Sequence, residues 1–124
     1  MGGKELEHSK ENLIWTGQDH KGRSVSLFTR ERDHIIEHHD IMGNNFTAVY
    51  DSVEDPDSVY DSAEYDNREV FFKKSTIATY STNFFTKTIV EYEQDNKSGY
   101  IVTSMPSKKE GGNVGQRTYP ENEI

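Results

Sequence analysis

A change in residue pattern near residue 67 constrains the fold more than any other feature of the sequence. Beyond it, four short runs of β-branched and aromatic residues occupy positions 69–72, 77–80, 88–92 and 99–103, separated by polar or glycine-containing segments. β-Branched and aromatic side chains suit a pleated, half-buried surface, and polar breaks of this kind favour turns. The second half of the chain therefore predicts a roughly four-stranded antiparallel sheet.

The first half predicts a hairpin followed by one or two helices. Residues 13–15 and 24–28 are short β-prone runs on either side of a polar, glycine-containing stretch, which is typical of a hairpin. A charged segment between Thr29 and Gly43 carries apolar residues on one side and predicts a first helix. The spacing i, i+3, i+4, i+7 predicts a short second helix carried by Phe46, Val49, Tyr50 and Val53.

Helices followed by a run of strands predict an α+β fold, with the N-terminal hairpin and one or two helices packed on the roughly four-stranded antiparallel sheet. The length of 124 residues suits one domain. We assign residues 1–11 to a flexible lead-in, residues 12–107 to the single α+β domain, and the glycine-rich residues 108–124 to a flexible tail.

The formal net charge of -8 disfavours indiscriminate binding to nucleic acid or to an anionic membrane. The charge is uneven: residues 1–66 hold 6 Lys and Arg against 15 Asp and Glu, whereas residues 67–124 hold 8 against 7. The first part therefore carries -9 and the second +1, which sum to -8. A basic substrate-facing patch is expected in the second half, if the protein has one.

The absence of cysteine excludes a disulfide scaffold, a thiolate zinc site and a cysteine nucleophile. The longest apolar runs span only a few residues, which predicts neither a transmembrane helix nor a signal peptide. We therefore expect a cytoplasmic protein that makes no membrane contact.

Three histidines cluster on the first predicted helix, where an imidazole that titrates near neutral pH suits a general acid or base. They are His34, His38 and His39. Residues 34–38 also match the pattern H-x-x-E-H of inverted zinc proteases, but such enzymes need a third ligand and a larger domain. We predict no metal and no other cofactor. The solvated alternative, in which these side chains only face water, stays open for His38 and His39.

The order of several short motifs resembles a known family over roughly residues 30–107. A helix bears Asp33, His34 and Ile35, an Asp-Pro-Asp sequence follows at 55–57, and three strands read NREVFF at 67–72, KTIVEY at 87–92 and GYIVTSMP at 99–106. In this order the chain resembles the phage and mobile-element branch of the barnase, EndoU, colicin and RelE-like ribonuclease superfamily.

The resemblance implies a metal-independent endoribonuclease, in which a ribose 2′-hydroxyl attacks the adjacent phosphate. His34 would be the general acid or base, Arg68 would bind and stabilise the phosphate, and Thr103 would donate a hydrogen bond to it. The substrate would be an RNA such as a tRNA, and a toxin of this kind would have a cognate immunity or antitoxin protein. Further candidate substrate-binding residues are Lys73, Lys74, Ser104 and His38.

Two alternatives remain from the residues alone. The acidic stretch 51–66 would suit a non-catalytic interaction module, of an immunity or DNA-mimic type, that binds a basic partner. The H-x-x-E-H pattern would suit a zinc hydrolase. Convergence of His34, Arg68 and Thr103 on one cleft is the spatial test of the ribonuclease hypothesis.

Overall fold

The computed structural model describes residues 12–77 and 84–121. In chain order the elements are β1 (Leu13–Gln18), β2 (Ser24–Phe28), α1 (Thr29–His38), a 3₁₀ helix (Asp40–Asn44), α2 (Phe46–Glu54), β3 (Ser58–Asp61), β4 (Arg68–Lys74), β5 (Phe85–Tyr92), β6 (Ser98–Ser107) and β7 (Arg117–Tyr119). The N-terminal hairpin and both predicted helices are present. The α+β class is therefore confirmed at this coarse level.

The prediction of a roughly four-stranded antiparallel sheet is wrong. Seven strands of the described chain form one mixed sheet in the order β1-β2-β6-β5-β4-β3-β7. β2 runs parallel to β6, with Val25 opposite Gly99, and the other neighbouring pairs are antiparallel. The predicted hairpin thus extends the sheet, because β2 pairs with a strand more than 70 positions later in the chain.

Two of the added strands are too short for a sequence pattern to indicate them. β7 has 3 residues, fewer than the about 4–8 over which alternation is informative, and β3 with 4 residues is at the lower limit of that range. Their neighbours hold them in place: Val59 lies opposite Phe71 on one side and opposite Tyr119 on the other. β7 thereby brings part of the predicted tail into the sheet.

The predicted strand at 77–80 lies mostly outside the described residues. Ile77 is described, and it is buried beyond the end of β4 without belonging to a strand. The other three predicted strands fall within β4, β5 and β6. These three strands pair in sequence order and form the centre of the sheet.

Helix α2 covers one face of the sheet. Its apolar spacing buries Val49 and Val53 in one core cluster with Phe71 of β4, and burial of such side chains is the main stabilising contribution to folding. Tyr50 stacks on Trp15 of β1, with ring centroids 4.3 Å apart and 11° between the ring planes. The helix therefore ties the edge strand β1 to the centre of the sheet.

Helix α1 follows β2 without a connecting loop and packs on β6 and β2. Ile35 is its fully buried apolar residue, and the two histidines His34 and His38 are exposed. No helix in the described part of the chain is long and apolar enough to cross a membrane.

The turn between β1 and β2 closes one end of the core. The His20 ring lies 5.5 Å from the Phe71 ring and 4.8 Å from the Tyr119 ring, measured between centroids. Both of its ring nitrogens are buried and make no hydrogen bond within the described residues. Burial lowers the pKa of His20, because it disfavours the charged imidazolium.

The sheet face opposite α2, here called the open face, is covered only in part. Residues 108–115 cross it above β3: a Cβ at Gly111, which has φ +78°, would lie 2.6 Å from the Tyr60 hydroxyl, so only glycine fits there. Ser58 also donates a hydrogen bond to Glu110 at 2.6 Å. Phe72 of β4, whose ring meets that of Tyr60 edge-on at 5.7 Å between centroids, is fully buried, whereas open-face residues of β5 and β6 stay partly exposed.

Candidate functional site

Three polar side chains form a row across the open face on β4, β5 and β6. The strand register places Arg68 opposite Glu91, and Glu91 opposite Tyr100. Arg68 Nε donates to Glu91 Oε1 at 2.9 Å, and the Tyr100 hydroxyl donates to Glu91 Oε2 at 3.1 Å. Arg68 and Glu91 are 25% and 26% exposed, so a ligand in solution can reach both side chains.

The Arg68 guanidinium is held in place while the donors of both Nη atoms remain available. Tyr65 packs against it, with the guanidinium carbon 4.1 Å from the ring centroid. Within the described residues, Nε is the guanidinium nitrogen that donates a hydrogen bond, and Nη1 and Nη2 donate none. Two parallel N–H donors of this kind match the oxygens of a phosphate.

A β-bulge places Thr103 on the same face as Tyr100. Ile89 lies opposite Thr103, and the next pairing along β5 skips Val102. In a regular strand, residues three positions apart would point to opposite faces. The Thr103 hydroxyl makes no hydrogen bond within the described residues. We refer to the following four residues as the open-face site: Arg68, Glu91, Tyr100 and Thr103.

The open face is locally basic although the chain is acidic. On β4, β5 and β6, alternation and register assign Arg68, Lys74 and Lys87 to this face and one acid, Glu91. The Lys87 Nζ lies 5.9 Å from the Phe72 ring centroid, also on this side. On these three strands the open face thus carries more basic residues than acids, although Lys74 and Lys87 lie four to six residues along the strands from Arg68 and Glu91, and Glu31 lies near Tyr100.

Tyr100 is a hydrogen-bond donor at neutral pH. Burial raises the pKa of Tyr100 to about 12, and the charge of Glu91 together with the hydrogen bond to it acts in the same direction. Glu31, in the first turn of α1, also raises this pKa. The N-terminal turn of α1 is therefore electrostatically close to the open-face site.

Tyr100 is expected to make the fold sensitive to alkaline pH. Its folded-state pKa of about 12 exceeds the unfolded value of about 10. The favourable contribution of Tyr100 to the free energy of unfolding is therefore present below about pH 10. It is lost as the pH rises through the folded-state pKa. We expect Tyr100→Phe to lose less thermal stability than the wild type between about pH 9 and about pH 11. Tyr65→Phe, at an exposed tyrosine, is the control, and an equal loss in all three proteins would contradict the prediction.

The two helix histidines are not part of the open-face site. The His34 and His38 rings are 4.3 Å apart between centroids, and both side chains are exposed. Phe28, directly before α1, has its ring centroid 6.5 Å from that of Tyr100. Within the described residues, no hydrogen bond, ion pair or ring contact links His34 to the open-face site. The structure thus groups Arg68 and Thr103 on one face and leaves His34 on the neighbouring helix.

The other candidate substrate-binding residues are divided between the two faces. Lys73 lies on the helix-covered face, where its Nζ donates to Asp55 at 2.9 Å. Ser104 is fully buried, with its hydroxyl 2.8 Å from that of Thr88. Lys74 is on the open face by register. Of these three residues, only Lys74 shares a face with the open-face site.

The H-x-x-E-H pattern gathers no set of three ligands. Within the described residues, no group of three or more His, Cys, Asp or Glu side chains is placed to hold a metal ion. A catalytic zinc site uses three protein ligands and a water. The zinc-hydrolase alternative therefore lacks a ligand set in the described part of the chain.

No protein-family model matches the chain, and no curated protein matches it significantly. The family resemblance therefore stays a prediction from the order of short motifs.

Sequence reasoning missed Glu91, Tyr100 and Tyr65 as members of the site. Glu91 carries a signal of its own, because it is the one acid in the apolar and β-branched run at 88–92. Its partners are not evident from the sequence, since they depend on the register of β5 with β4 and β6. Register is set by the packing of whole strands and not by any single residue.

Proposed function

We propose that the protein is a metal-independent endoribonuclease that binds RNA on the open face. The observation that carries the proposal is the Arg68 guanidinium, which Glu91 and Tyr65 hold while Nη1 and Nη2 stay available on a partly exposed surface. Such a group favours a phosphodiester, and the adjacent carboxylate supplies a proton acceptor.

The proposed reaction divides proton transfer between Glu91 and His34. Glu91 removes the proton from the ribose 2′-hydroxyl as its oxygen attacks phosphorus, and His34, which lies on α1 outside the open-face site, would have to approach the departing 5′-oxygen to protonate it. The bond between phosphorus and the 2′-oxygen forms, the bond to the 5′-oxygen breaks, and a 2′,3′-cyclic phosphate results. Arg68 and Thr103 donate hydrogen bonds to the phosphoryl oxygens, whose charge grows in the transition state.

The finer assignments depend on the motif resemblance. A phage or mobile element would encode the protein as a toxin or processing nuclease that acts in the cytoplasm on an RNA such as a tRNA. A cognate immunity or antitoxin protein would then be its partner. The cleavage chemistry can be tested without knowing either molecule.

The test is cleavage of single-stranded RNA by the purified protein in EDTA. We expect 2′,3′-cyclic phosphate ends, a loss of about 10²–10³-fold in rate for Arg68→Ala, and a loss of about 10²–10⁴-fold for His34→Ala. Arg32→Ala is the matched control, because Arg32 pairs with Asp33 at 3.2 Å on the exposed surface of α1. Unaltered cleavage in both Arg68→Ala and His34→Ala would disprove the site assignment, and no cleavage by the wild type would disprove the function.

A second candidate function is a non-catalytic module that binds a basic partner. The supporting observation is that every acid between residues 51 and 66 is exposed. We expect the triple reversal Asp61→Lys, Glu64→Lys and Asp66→Lys to abolish capture of a co-purified basic partner, with Glu37→Lys as the control. Capture that survives the triple reversal would contradict this function. The acids are Asp51, Glu54, Asp55, Asp57, Asp61, Glu64 and Asp66.

A further inference from the structure

The two exposed histidines of α1 have the geometry of a metal chelate. His34 and His38 are one helical turn apart, with ring centroids 4.3 Å apart and 49° between the ring planes. Two imidazoles bound to one ion with metal–nitrogen distances of about 2.0–2.1 Å, at an angle of about 90°, have centroids about 4.5 Å apart. The centroid separation of His34 and His38 is therefore compatible with both rings binding one ion.

We propose that His34 and His38 form a two-ligand site for a divalent transition metal. Imidazole suits Cu²⁺, Ni²⁺ and Zn²⁺, and a 90° arrangement of nitrogen ligands favours Cu²⁺ and Ni²⁺. Since no third protein ligand is placed nearby within the described residues, water completes the coordination. Such an ion exchanges with solution and is neither a structural nor a catalytic metal of the fold.

Neighbouring groups leave the pair accessible. Asp33 is paired with Arg32 at 3.2 Å, so its carboxylate is already engaged. His39 is partly buried, and burial together with the charges of His38 and His34 lowers its pKa. His39 thus lies close enough to the pair to sense its charges but is not part of the His34–His38 ring contact, which makes it the matched control for a test by substitution.

Metal binding at His34 and His38 would inhibit RNA cleavage. This effect rests on the proposed function. An imidazole nitrogen bound to a metal ion cannot carry the proton that His34 donates to the 5′-oxygen. The protein would then be most active in the presence of a chelator. Copper or nickel would act as a reversible inhibitor at the same residue that serves in catalysis.

The binding test adds Ni²⁺ or Cu²⁺ alone to the full chain, which carries no polyhistidine tag. Binding is measured by calorimetry and, for Cu²⁺, also by electron paramagnetic resonance. We expect one ion per chain, a copper spectrum with two nitrogen ligands, and loss of this site in His34→Ala and in His38→Ala. His39→Ala should bind as the wild type does. Equal binding by the wild type and the double variant His34→Ala/His38→Ala would overturn the site, and so would equal losses in His39→Ala and His38→Ala.

The inhibition test compares each protein with its own rate in EDTA. We expect Ni²⁺ to slow RNA cleavage by the wild type and to leave the relative rate of His38→Ala unchanged. Inhibition of both proteins to the same extent would overturn the regulatory role. Because binding is measured without RNA, a wild type that binds nickel and cleaves no RNA would disprove the proposed function while supporting the metal site.

Discussion

The variant Arg23→Met is expected to lose about 3–5 kcal/mol in free energy of unfolding, because it leaves buried carboxylates without their cation. The Arg23 and Asp19 side chains are 8% and 0% exposed, and Arg23 Nε donates to Asp19 Oδ2 at 2.8 Å. Its two Nη atoms donate to the two carboxylate oxygens of Glu69, each at 2.8 Å. Arg23 therefore joins the β1–β2 turn to the start of β4.

Asp19 has enough hydrogen-bond donors to remain charged in the folded protein. Burial alone would raise the pKa of Asp19, but the hydrogen bond from Tyr92 at 2.6 Å, the backbone N–H groups of Arg23 and Lys21, and the Arg23 charge together lower it. The favourable contribution of Asp19 to the free energy of unfolding is present above the unfolded-state pKa of about 3.9. It is lost as the pH falls through the lower folded-state pKa. The difference in free energy of unfolding between the wild type and Arg23→Met should accordingly become smaller in acid.

Urea unfolding of Arg23→Met at neutral pH tests this prediction. Arg32→Met is the matched control, since the Arg32–Asp33 pair is 41% and 62% exposed, and an exposed pair contributes about 0–1 kcal/mol. A loss in Arg23→Met no larger than in Arg32→Met would show that the buried network does not stabilise the fold.

The variant Glu91→Gln is expected to lower the rate of RNA cleavage by about 10²–10⁴-fold. The amide keeps the size of the side chain and can still accept from Arg68 Nε or from Tyr100, but it cannot take the proton of the 2′-hydroxyl. The variant therefore separates proton transfer from phosphate binding. RNA affinity is expected to change much less than the rate.

Single-turnover cleavage in EDTA, together with RNA binding at fixed salt, measures both effects. Glu93→Gln is the matched control, because Glu93 lies two residues further on and is exposed. A thermal melt establishes that Glu91→Gln is folded. A wild-type rate in Glu91→Gln would rule out Glu91 as the general base, even if Arg68→Ala were inactive.

The elements that are evident from the sequence are those that carry a local pattern. Helix α2 was predicted because Val49 and Val53 recur at helical spacing and the face they form is buried. The central strands β4, β5 and β6 were predicted because β-branched and aromatic residues dominate them. In each of these elements, the signal and the structure extend over the same few consecutive residues.

The candidate site was predicted only in part, because it depends on strand register. Arg68 and Thr103 were both proposed from motifs, and they do lie on one face. Glu91 connects the two flanking strands through its hydrogen bonds, and nothing in the sequence indicates that it faces both Arg68 and Tyr100. The bulge at Val102 is decisive, since a regular β6 would turn Thr103 away from this face.

By itself, the sequence determined the α+β class, the two helices, the three central strands and the contrast between an acidic first half and a nearly neutral second half. These properties follow from local periodicity and composition. Only the tertiary structure decided that β2 pairs parallel with β6, that β3 and β7 join the sheet, and that Arg68, Lys74 and Lys87 share the open face with Glu91. Strands that pair, and charged residues that share a face of the sheet, lie far apart in the chain. A local sequence pattern therefore does not indicate which distant strands will pair.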